Sequence, residues 1–395
     1  MSIKGKAFIA GIYEHPTRDA SDKSLPQLHA EVAKGALEDA GLTFKDVDAY
    51  FCAGDAPGLG GISMAEYMGI HIQHTDTTEI GGSSYVAHIG HAAAAIAAGK
   101  CNVALITLAG RPKAEAQKVG TGGGGRGPMF DPNAPELGFE GVYGPATANM
   151  YGMAAMRHMH EFGTTSEQLA WVKVAASHHA QYNENAMLKK VVTVEDVVNS
   201  PMISNPLHRL DCCVVSDGGG AMIIVSPEIA KTLDRHCVKV MGHGEAPKHL
   251  NGGKVDLTYT GAVWSGPRAF SEAGVTQADI KYASIYDSFT ITVIETLEDL
   301  GFCEKGKGGE FVMDGNLISG VGKLPFNTDG GGLCSNHPAN RGGMTKVLEA
   351  VRQLRDEAHE KVQVPDCDIV LAHGTGGSIG TRMGSATVIL GREDA

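Results

Sequence analysis

The sequence contains an internal repeat. Residues 36–51 (ALEDAGLTFKDVDAYF) and 269–284 (AFSEAGVTQADIKYAS) both read as a helix end, Ala-Gly, an apolar residue, Thr, a short loop with Asp, and a strand. Fainter matches pair residues 81–110 with 342–374, and 6–11 with 238–243. A repeat of this kind indicates two copies of one supersecondary unit. Because strands alternate with helices, we expect two α/β halves of parallel βα units, residues 1–228 and 229–395.

The first half is longer because of an insertion near residues 111–200. It opens with a glycine-rich run, residues 120–127, and contains a Met- and His-rich helical stretch, residues 148–162. No Lys-Ser/Thr follows the glycines, so a flexible loop is favoured over a phosphate-binding loop. Long connections in compact domains usually serve as lids or binding loops.

We therefore expect the insertion to line a substrate pocket. Met150 and Tyr151 are the first candidates for its wall, and Met153 and Met156 follow them at helical spacing. The alternative is that these side chains form the core of a helix pair instead.

Charge and composition exclude several classes of protein. The 33 Lys and Arg residues against 45 Asp and Glu give a net charge of −12, and no basic block is present, which argues against nucleic-acid binding. No stretch reaches the roughly 18 apolar residues of a membrane span. Residues 1–11 run directly into a strand-like segment without the apolar region of a signal peptide, so we expect a cytoplasmic protein. The eight cysteines form no CxxC pair, which predicts reduced thiols and no metal site in this chain.

Glycine is overrepresented, with 53 of 395 residues, while only 16 are proline. This excess indicates tight turns or close backbone approaches rather than disorder. Four segments combine glycine with small polar residues at predicted strand ends, where α/β folds carry their sites. They are residues 79–85, 285–290, 330–338 and 371–377.

The first of these segments leads into a helix. Gly82, Ser83 and Ser84 precede a strongly helical run, and a glycine turn at a helix start suits a nucleophile or an oxyanion. The simpler interpretation is that one of the serines caps the helix. His88 and His91, one and two turns further on, are expected to be packed or solvated rather than ligands.

Two histidines lie in the last two segments. His337 follows a glycine-rich turn and precedes Pro338, and His373 ends an apolar strand before Gly-Thr-Gly-Gly. Imidazole titrates near neutrality, so both are candidates for general acid–base chemistry, although either alone could be structural. Adjacent Cys212 and Cys213 are interpreted as small core residues.

The motifs, taken in order, resemble the thiolase superfamily. These are SDGGGAMIIV (216–225), YDSF (286–289), GGGLCSNHP (330–338) and HGTGG (373–377), and the resemblance covers essentially the whole chain. It is closest to the sterol-carrier-protein type of thiolase. The resemblance implies an α/β thiolase fold, with duplicated βα halves in a layered αβαβα arrangement.

Thiolases use a nucleophilic cysteine at a helix start, a histidine in a Gly-His-Pro turn, a second cysteine near the C terminus, and an asparagine that fixes a water. The histidine carries over onto His337, with Asn336 in place of the glycine. The second cysteine falls on His373. The asparagine motif falls near YDSF, so that Asp287 or Ser288 takes its place.

The nucleophile is the departure from the family pattern. In thiolases it lies about seventeen residues before the glycine that ends its helix, and counting back from Gly99 reaches Gly82. The covalent acyl-cysteine mechanism is therefore in doubt. The same loss occurs in thiolase relatives that are steroid side-chain aldolases, which resemble this chain in LDCC (210–213). Those relatives carry a tyrosine-bearing turn where this chain keeps His337 and Pro338.

Three functions remain open. The first is thiolytic cleavage of a bulky β-oxoacyl-CoA (acyl-CoA C-acyltransferase type), with CoA attacking directly or Ser84 accepting the acyl group. The second is retro-aldol cleavage of a β-hydroxyacyl-CoA, and the third is a non-catalytic scaffold. Both reactions need a stabilised enolate. His337 would donate to the thioester oxygen, and His373 would move the α-proton. The N–H groups of Gly82–Ser84 and of Gly376 and Gly377 would bind the other oxyanion.

The resemblance also implies the partners. Coenzyme A enters as part of the substrate or product, and no tightly bound cofactor is expected. We expect a homodimer that binds a small subunit with a zinc ribbon and an OB-fold.

Overall fold

The computed structural model describes residues 2–120, 143–249, 255–338, 342–377 and 383–394. The strands in these ranges are β1 (Phe8–Glu14), β2 (Ala49–Phe51), β3 (His74–Asp76), β4 (Val103–Gly110), β5 (Met202–Ser204), β6 (Leu207–His208), β7 (Gly218–Val225), β8 (Val238–Lys248), β9 (Tyr282–Ile285), β10 (Ile369–Gly377) and β11 (Met383–Gly391). The helices are α1 (Leu25–Ala40), α2 (Gly61–Met68), α3 (Ser84–Ala97), α4 (Thr147–Phe162), α5 (Ser166–Ala180), α6 (Val194–Val198), α7 (Pro227–Ala230), α8 (Ala262–Ala273), α9 (Thr290–Asp299), α10 (Gly308–Phe311), α11 (Gly331–Cys334) and α12 (Gly343–Leu354). Beyond Gly120, the glycine-rich run lies outside the described residues.

Nine of these strands form one sheet, in the order β3-β2-β4-β7-β1-β8-β11-β10-β9. The order β2-β4-β7-β1 in the first half returns as β9-β10-β11-β8 in the second, so the two halves share one topology. They join edge to edge through a short antiparallel pairing of Phe8 with Lys239 and of Ile9 with Val238. The boundary between residues 228 and 229 stays a prediction.

The expectation of parallel βα units is right for some strand pairs and wrong for others. Strand β2 runs parallel to β3 and β4, and β9 runs parallel to β10. Strand β7 is antiparallel to β1 and β4, and β11 is antiparallel to β8 and β10. The physical reason is clearest for β11. Only residues 378–382 separate it from β10, and a parallel neighbour would require a crossover of a dozen residues or more.

Two helices lie between the halves of the sheet. Helix α3 contacts β4 and β7 on one side and β8 and β11 on the other, and α12 likewise contacts β1, β7, β9 and β10. Helix α1 covers the outer face of the first half, and α8 covers that of the second. The layers are therefore αβαβα, as the resemblance implied. Helix α3 is apolar nearly all round, as a buried helix should be, whereas α12 buries Lys346, Glu349 and Gln353.

In the part of the chain that the structure describes, no helix combines the length and apolar character required to cross a membrane.

An ionic contact ties α3 to the strands on both sides of it. The His91 ring lies with Nδ1 2.6 Å from Asp76 Oδ2 on β3 and with Nε2 3.0 Å from Glu245 Oε2 on β8. Hydrogen bonds to these two carboxylates raise the pKa of His91 to about 9. His91 is therefore a cation at neutral pH that bridges the two halves of the sheet.

We expect this contact to make stability depend on pH. The pKa of His91 is higher in the folded chain than the ordinary value of 6.5, so its contribution is complete below about pH 6.5 and is lost as the pH rises through 9. Urea denaturation at pH 6, 7.5 and 9.5 should show that the free energy of unfolding of the wild-type chain falls as the pH rises. The fall should be smaller in His91→Gln than in wild type. The exposed His160→Gln is the control and should behave as wild type. Equal pH dependence in His91→Gln and wild type would refute the assignment.

Candidate active site

The four glycine-containing segments come together at the start of α3. An ideal Cβ added to Gly81 would lie 2.8 Å from Gly376 Cα and 2.8 Å from the Gly377 nitrogen. A Cβ on Gly82 would overlap the Thr375 carbonyl oxygen, and one on Gly376 would overlap the oxygen of Ile80. The turn before α3 and the end of β10 are thus in backbone-to-backbone contact, which only glycine permits.

The space that a side chain at position 82 would take is filled by Tyr286. A Cβ on Gly82 would lie 2.7 Å from Tyr286 Cζ and would also overlap Cε2 of the ring. Tyr286 is buried, and its hydroxyl lies 3.0 Å from Nε2 of His337. Tyr286 was not among the residues that the sequence predicted for the site. The only signal for it was its place in YDSF, directly before Asp287.

His337 is held as a neutral imidazole. Its backbone N–H donates to Ser216 Oγ at 2.8 Å, and Ser216 in turn donates to Asn336 Oδ1 at 2.7 Å. Burial lowers the pKa of His337 to about 4, and burial also raises the pKa of Tyr286 well above its usual value. At neutral pH the tyrosine therefore keeps its proton and the ring is uncharged, so the hydrogen bond between them joins two neutral groups.

His373 lies within β10, four residues before the strand ends. Its Nδ1 is 2.8 Å from Thr387 Oγ1, and among the described residues its Nε2 has no hydrogen-bond partner. Burial alone lowers the pKa of His373 to about 3, so this ring is also neutral. The carbonyl oxygen of His373 accepts the Tyr286 N–H at 3.0 Å, so the backbone of His373 adjoins the tyrosine. Its imidazole lies with Thr387, whose Oγ1 is 2.9 Å from Ser265 Oγ on α8.

The two serines turn their hydroxyls toward Ile80. Ser84 Oγ accepts the Ile80 N–H at 2.9 Å, and Ser83 Oγ donates to the Ile80 oxygen at 2.6 Å. Both side chains are fully buried, and Ser83 makes no capping bond to α3. The alternative of a serine cap at Ser83 is thus not what the structure contains.

Asp287 is an anchor for the loop that carries His337. Its carboxylate accepts the Gly332 N–H at 2.8 Å, the Leu333 N–H at 3.0 Å and the Lys346 ammonium at 2.9 Å. Asn336, the other residue predicted from this loop, is fully buried and donates to Glu14 Oε1 at 3.0 Å. The side chains of Asp287 and Asn336 are therefore both engaged in hydrogen bonds within the chain.

The insertion reaches the site through one of its predicted residues. Tyr151 stacks on Phe289 of YDSF, with ring centroids 4.3 Å apart. Met150 is half-buried, whereas Met153 and Met156 are about half exposed, at 51% and 50%. The alanines of α4 join the core together with Tyr151, so the helix-core alternative describes this face of α4 better than a methionine wall.

All eight cysteines are free thiols, and within the described ranges no group of three or more His, Cys, Asp and Glu side chains is arranged to hold a metal ion.

We expect Gly82→Ala to destabilise the chain by about 1–3 kcal/mol, because the added methyl overlaps Tyr286 and the oxygen of Thr375. Chemical denaturation measures this loss. Adding Tyr286→Leu in the Gly82→Ala background should recover part of it, because the shorter side chain vacates the space of Cζ. An alanine at 82 that leaves the free energy of unfolding unchanged would contradict this packing.

Comparison with known proteins agrees with the geometry. The thiolase C-terminal domain-like family matches residues 244–392. An acetyl-CoA acetyltransferase of Methanothermobacter thermautotrophicus is 32% identical over 385 residues, 94% of this chain and 97% of that protein. A steroid side-chain-cleaving aldolase of Thermomonospora curvata is 34% identical over 364 residues, 89% of this chain and 91% of that protein.

Two further similarities concern multi-subunit enzymes. The benzoylsuccinyl-CoA thiolase subunit BbsB of Thauera aromatica is 32% identical over 251 residues, 62% of this chain and 63% of that protein. The solved structure of the Ltp2-ChsH2(DUF35) aldolase superposes with a TM-score of 0.88 at 31% identity and covers 99% of both chains.

The acetyltransferase and the steroid side-chain-cleaving aldolase are both named as enzymes, so the similarity favours an enzyme over the alternative of a non-catalytic scaffold. Identity above 30% over nine-tenths of the chain, together with the duplicated αβαβα layers, leaves one family. The chain is a thiolase-fold enzyme and belongs to the thiolase superfamily, in the branch of the sterol-carrier-protein-type thiolases and thiolase-like aldolases.

Proposed function

We propose that this enzyme is a retro-aldolase that cleaves the Cα–Cβ bond of a bulky β-hydroxyacyl-CoA. The observation that carries the proposal is the packing at position 82. By its spacing from Gly99, Gly82 takes the place of the thiolase nucleophile. The ring of Tyr286 fills the space beside Gly82, with its hydroxyl 3.0 Å from Nε2 of the neutral His337. Such a pair transfers protons but supplies no nucleophile. Retro-aldol cleavage requires only proton transfer and a stabilised enolate.

The proton balance of the reaction fits this pair. The phenol oxygen of Tyr286 accepts the proton of the β-hydroxyl while its own proton passes to Nε2 of His337. The Cα–Cβ bond breaks, its electron pair forms the thioester enolate, and Cβ becomes a carbonyl. Because burial holds the pKa of His337 near 4, the imidazolium is a strong acid and returns the proton through Tyr286 to the enolate carbon.

The enolate oxygen requires hydrogen-bond donors. Nδ1 of His373 is paired with Thr387 Oγ1, and among the described residues its Nε2 has no partner, so the tautomer with the proton on Nε2 would have that N–H free to donate. The backbone N–H groups of Gly82–Ser84 and of Gly376 and Gly377 lie around the same turn and are the remaining candidates. Donors fixed in place by a packed backbone stabilise developing charge without reorganising.

The named relatives give this proposal independent support. One is a steroid side-chain-cleaving aldolase, and the solved structure with a TM-score of 0.88 is an aldolase. The tyrosine that such aldolases carry in their turn has no counterpart at His337, but Tyr286 brings a phenol to the site from YDSF. A steroid-like acyl group is the first substrate class to test.

Thiolysis of a β-oxoacyl-CoA is the second candidate. It is favoured by the His-Pro turn at His337 and by the similarity to BbsB. Here free CoA would attack directly, or Ser84 would accept the acyl group.

The two reactions differ in their need for CoA. The enzyme isolated from its host with its bound subunits should cleave a β-hydroxyacyl-CoA bearing a steroid acyl group in the absence of CoA. We expect no cleavage of the matched β-oxoacyl-CoA in the presence or absence of CoA. Cleavage of the β-oxo compound that depends on added CoA would instead establish thiolysis.

The same assay separates the residues. We expect Tyr286→Phe to keep the ring in place and lower kcat by about 10²–10⁴-fold, because it removes the proton relay. Ser84→Ala is the matched control and should retain kcat within a few fold. Loss of activity in Ser84→Ala with retention in Tyr286→Phe would point to an acyl-serine intermediate.

For the assembly, we propose a homodimer that binds a small zinc-ribbon and OB-fold subunit. Strand β3 lies at the sheet edge, and beside it α2 and the preceding loop expose Leu59, Ile62 and Tyr67. Exposed apolar groups next to an unpaired edge suit an interface between copies. The Ltp2-ChsH2(DUF35) aldolase provides the precedent for the small subunit. Native mass spectrometry of the complex tests both, and a monomer without a second subunit would reject them.

A further inference from the structure

Helix α12 buries a lysine next to the site. Lys346 is 1% exposed, and its ammonium lies 2.9 Å from Oδ1 of Asp287, whose side chain is also 1% exposed. Removing two charges from water is costly, and a buried ion pair contributes little net stability unless its remaining hydrogen bonds are satisfied. The pair therefore needs an account beyond stability.

The carboxylate of Asp287 organises the turn that precedes His337. It accepts the N–H groups of Gly332 and Leu333, in the first turn of α11. Gly331 has a left-handed φ of +61°, and a Cβ there would overlap Asp287 Oδ2. The glycine backbone thus lies in close contact with the carboxyl group of Asp287.

This turn is also the surface on which the imidazole of His337 rests. A Cβ on Gly332 would lie 3.0 Å from His337 Cδ2. Asp287 is at the same time the chain neighbour of Tyr286, whose hydroxyl lies 3.0 Å from Nε2 of that ring. A single carboxylate therefore fixes both members of the proton-transfer pair.

We propose that Lys346 is a positioning residue: its ion pair with Asp287 keeps that carboxylate bonded to the turn, and so holds Tyr286 and His337 in contact. The roles of these two side chains in catalysis rest on the proposed function. The positioning itself is a property of the folded chain.

The Lys346–Asp287 pair also influences the pKa of His337 through its two charges. Burial is the main cause of its lowered pKa. Of the two charged groups that act on the ring, Asp287 on the YDSF loop raises the pKa and Lys346 on α12 lowers it. The remaining contact, Tyr286, is uncharged. Removing only the ammonium leaves the carboxylate uncompensated, so the pKa of His337 must rise.

The test uses the full chain with Lys346→Met, Lys346→Arg and the double variant Asp287→Asn/Lys346→Met. The pKa of His337 is read by NMR from its ring resonance, assigned by its loss in His337→Gln. Amide hydrogen exchange reports on Gly332 and Leu333.

In Lys346→Met we expect the pKa of His337 to rise by about one unit or more and the two amides to exchange about tenfold faster. Lys346→Arg should keep wild-type values. The double variant should return the pKa toward wild type but leave the amides unprotected.

Three outcomes would overturn the proposal. The first is a Lys346→Met variant that loses thermal stability while the pKa of His337 stays unchanged. The second is a Lys346→Met variant in which the amides of Gly332 and Leu333 exchange as slowly as in wild type. The third is a Lys346→Arg variant in which neither the pKa of His337 nor the amide protection has its wild-type value. If Lys346→Met does not fold, Lys346→Arg and the double variant still test the proposal. Wild-type protection of the Gly332 and Leu333 amides in the double variant also rejects it. No substrate enters these measurements, so they stand or fall separately from the aldolase assignment.

Discussion

The structure depends on the close contact between the turn before α3 and the end of β10. There the backbone of one half of the sheet lies directly on the backbone of the other, at Gly81, Gly82 and Gly376. A side chain on either surface would separate them. Because α3 and α12 both begin at this contact, it fixes where the two central helices start. The same contact leaves room for one aromatic ring beside Gly82, and Tyr286 takes it.

The repeat in the sequence predicted two α/β halves, and their matching strand orders agree with it, because the repeat records local structure that was duplicated as a unit. The layered arrangement was implied by the resemblance to thiolases. The repeat could not predict whether neighbouring strands are parallel or antiparallel, because strand direction depends on how the connections cross the sheet. His337 and His373 stand out in the sequence because each is a histidine beside glycines at a predicted strand end, and their catalytic roles stay predictions. Tyr286 was missed because the spacing from Gly99 reveals an absent side chain but not what replaces it. Lys346 was missed because an amphipathic pattern gives no sign that both faces of α12 are covered.

The site combines polarity with electrical neutrality. Burial keeps His337 and His373 uncharged and Tyr286 protonated, while the charge of Asp287 is matched by Lys346. In the proposed reaction, the proton that leaves the β-hydroxyl makes His337 an imidazolium as the enolate forms, so the two opposite charges arise together and neither is left unpaired in the interior.

The crowding at Gly82 also couples two positions that are far apart in the sequence. A Cβ at position 82 would overlap both the ring of Tyr286 and the carbonyl oxygen of Thr375, so a side chain there requires both neighbours to move. The identities of residues 82 and 286 are therefore interdependent, and introducing a thiol at position 82 requires a compensating change at position 286.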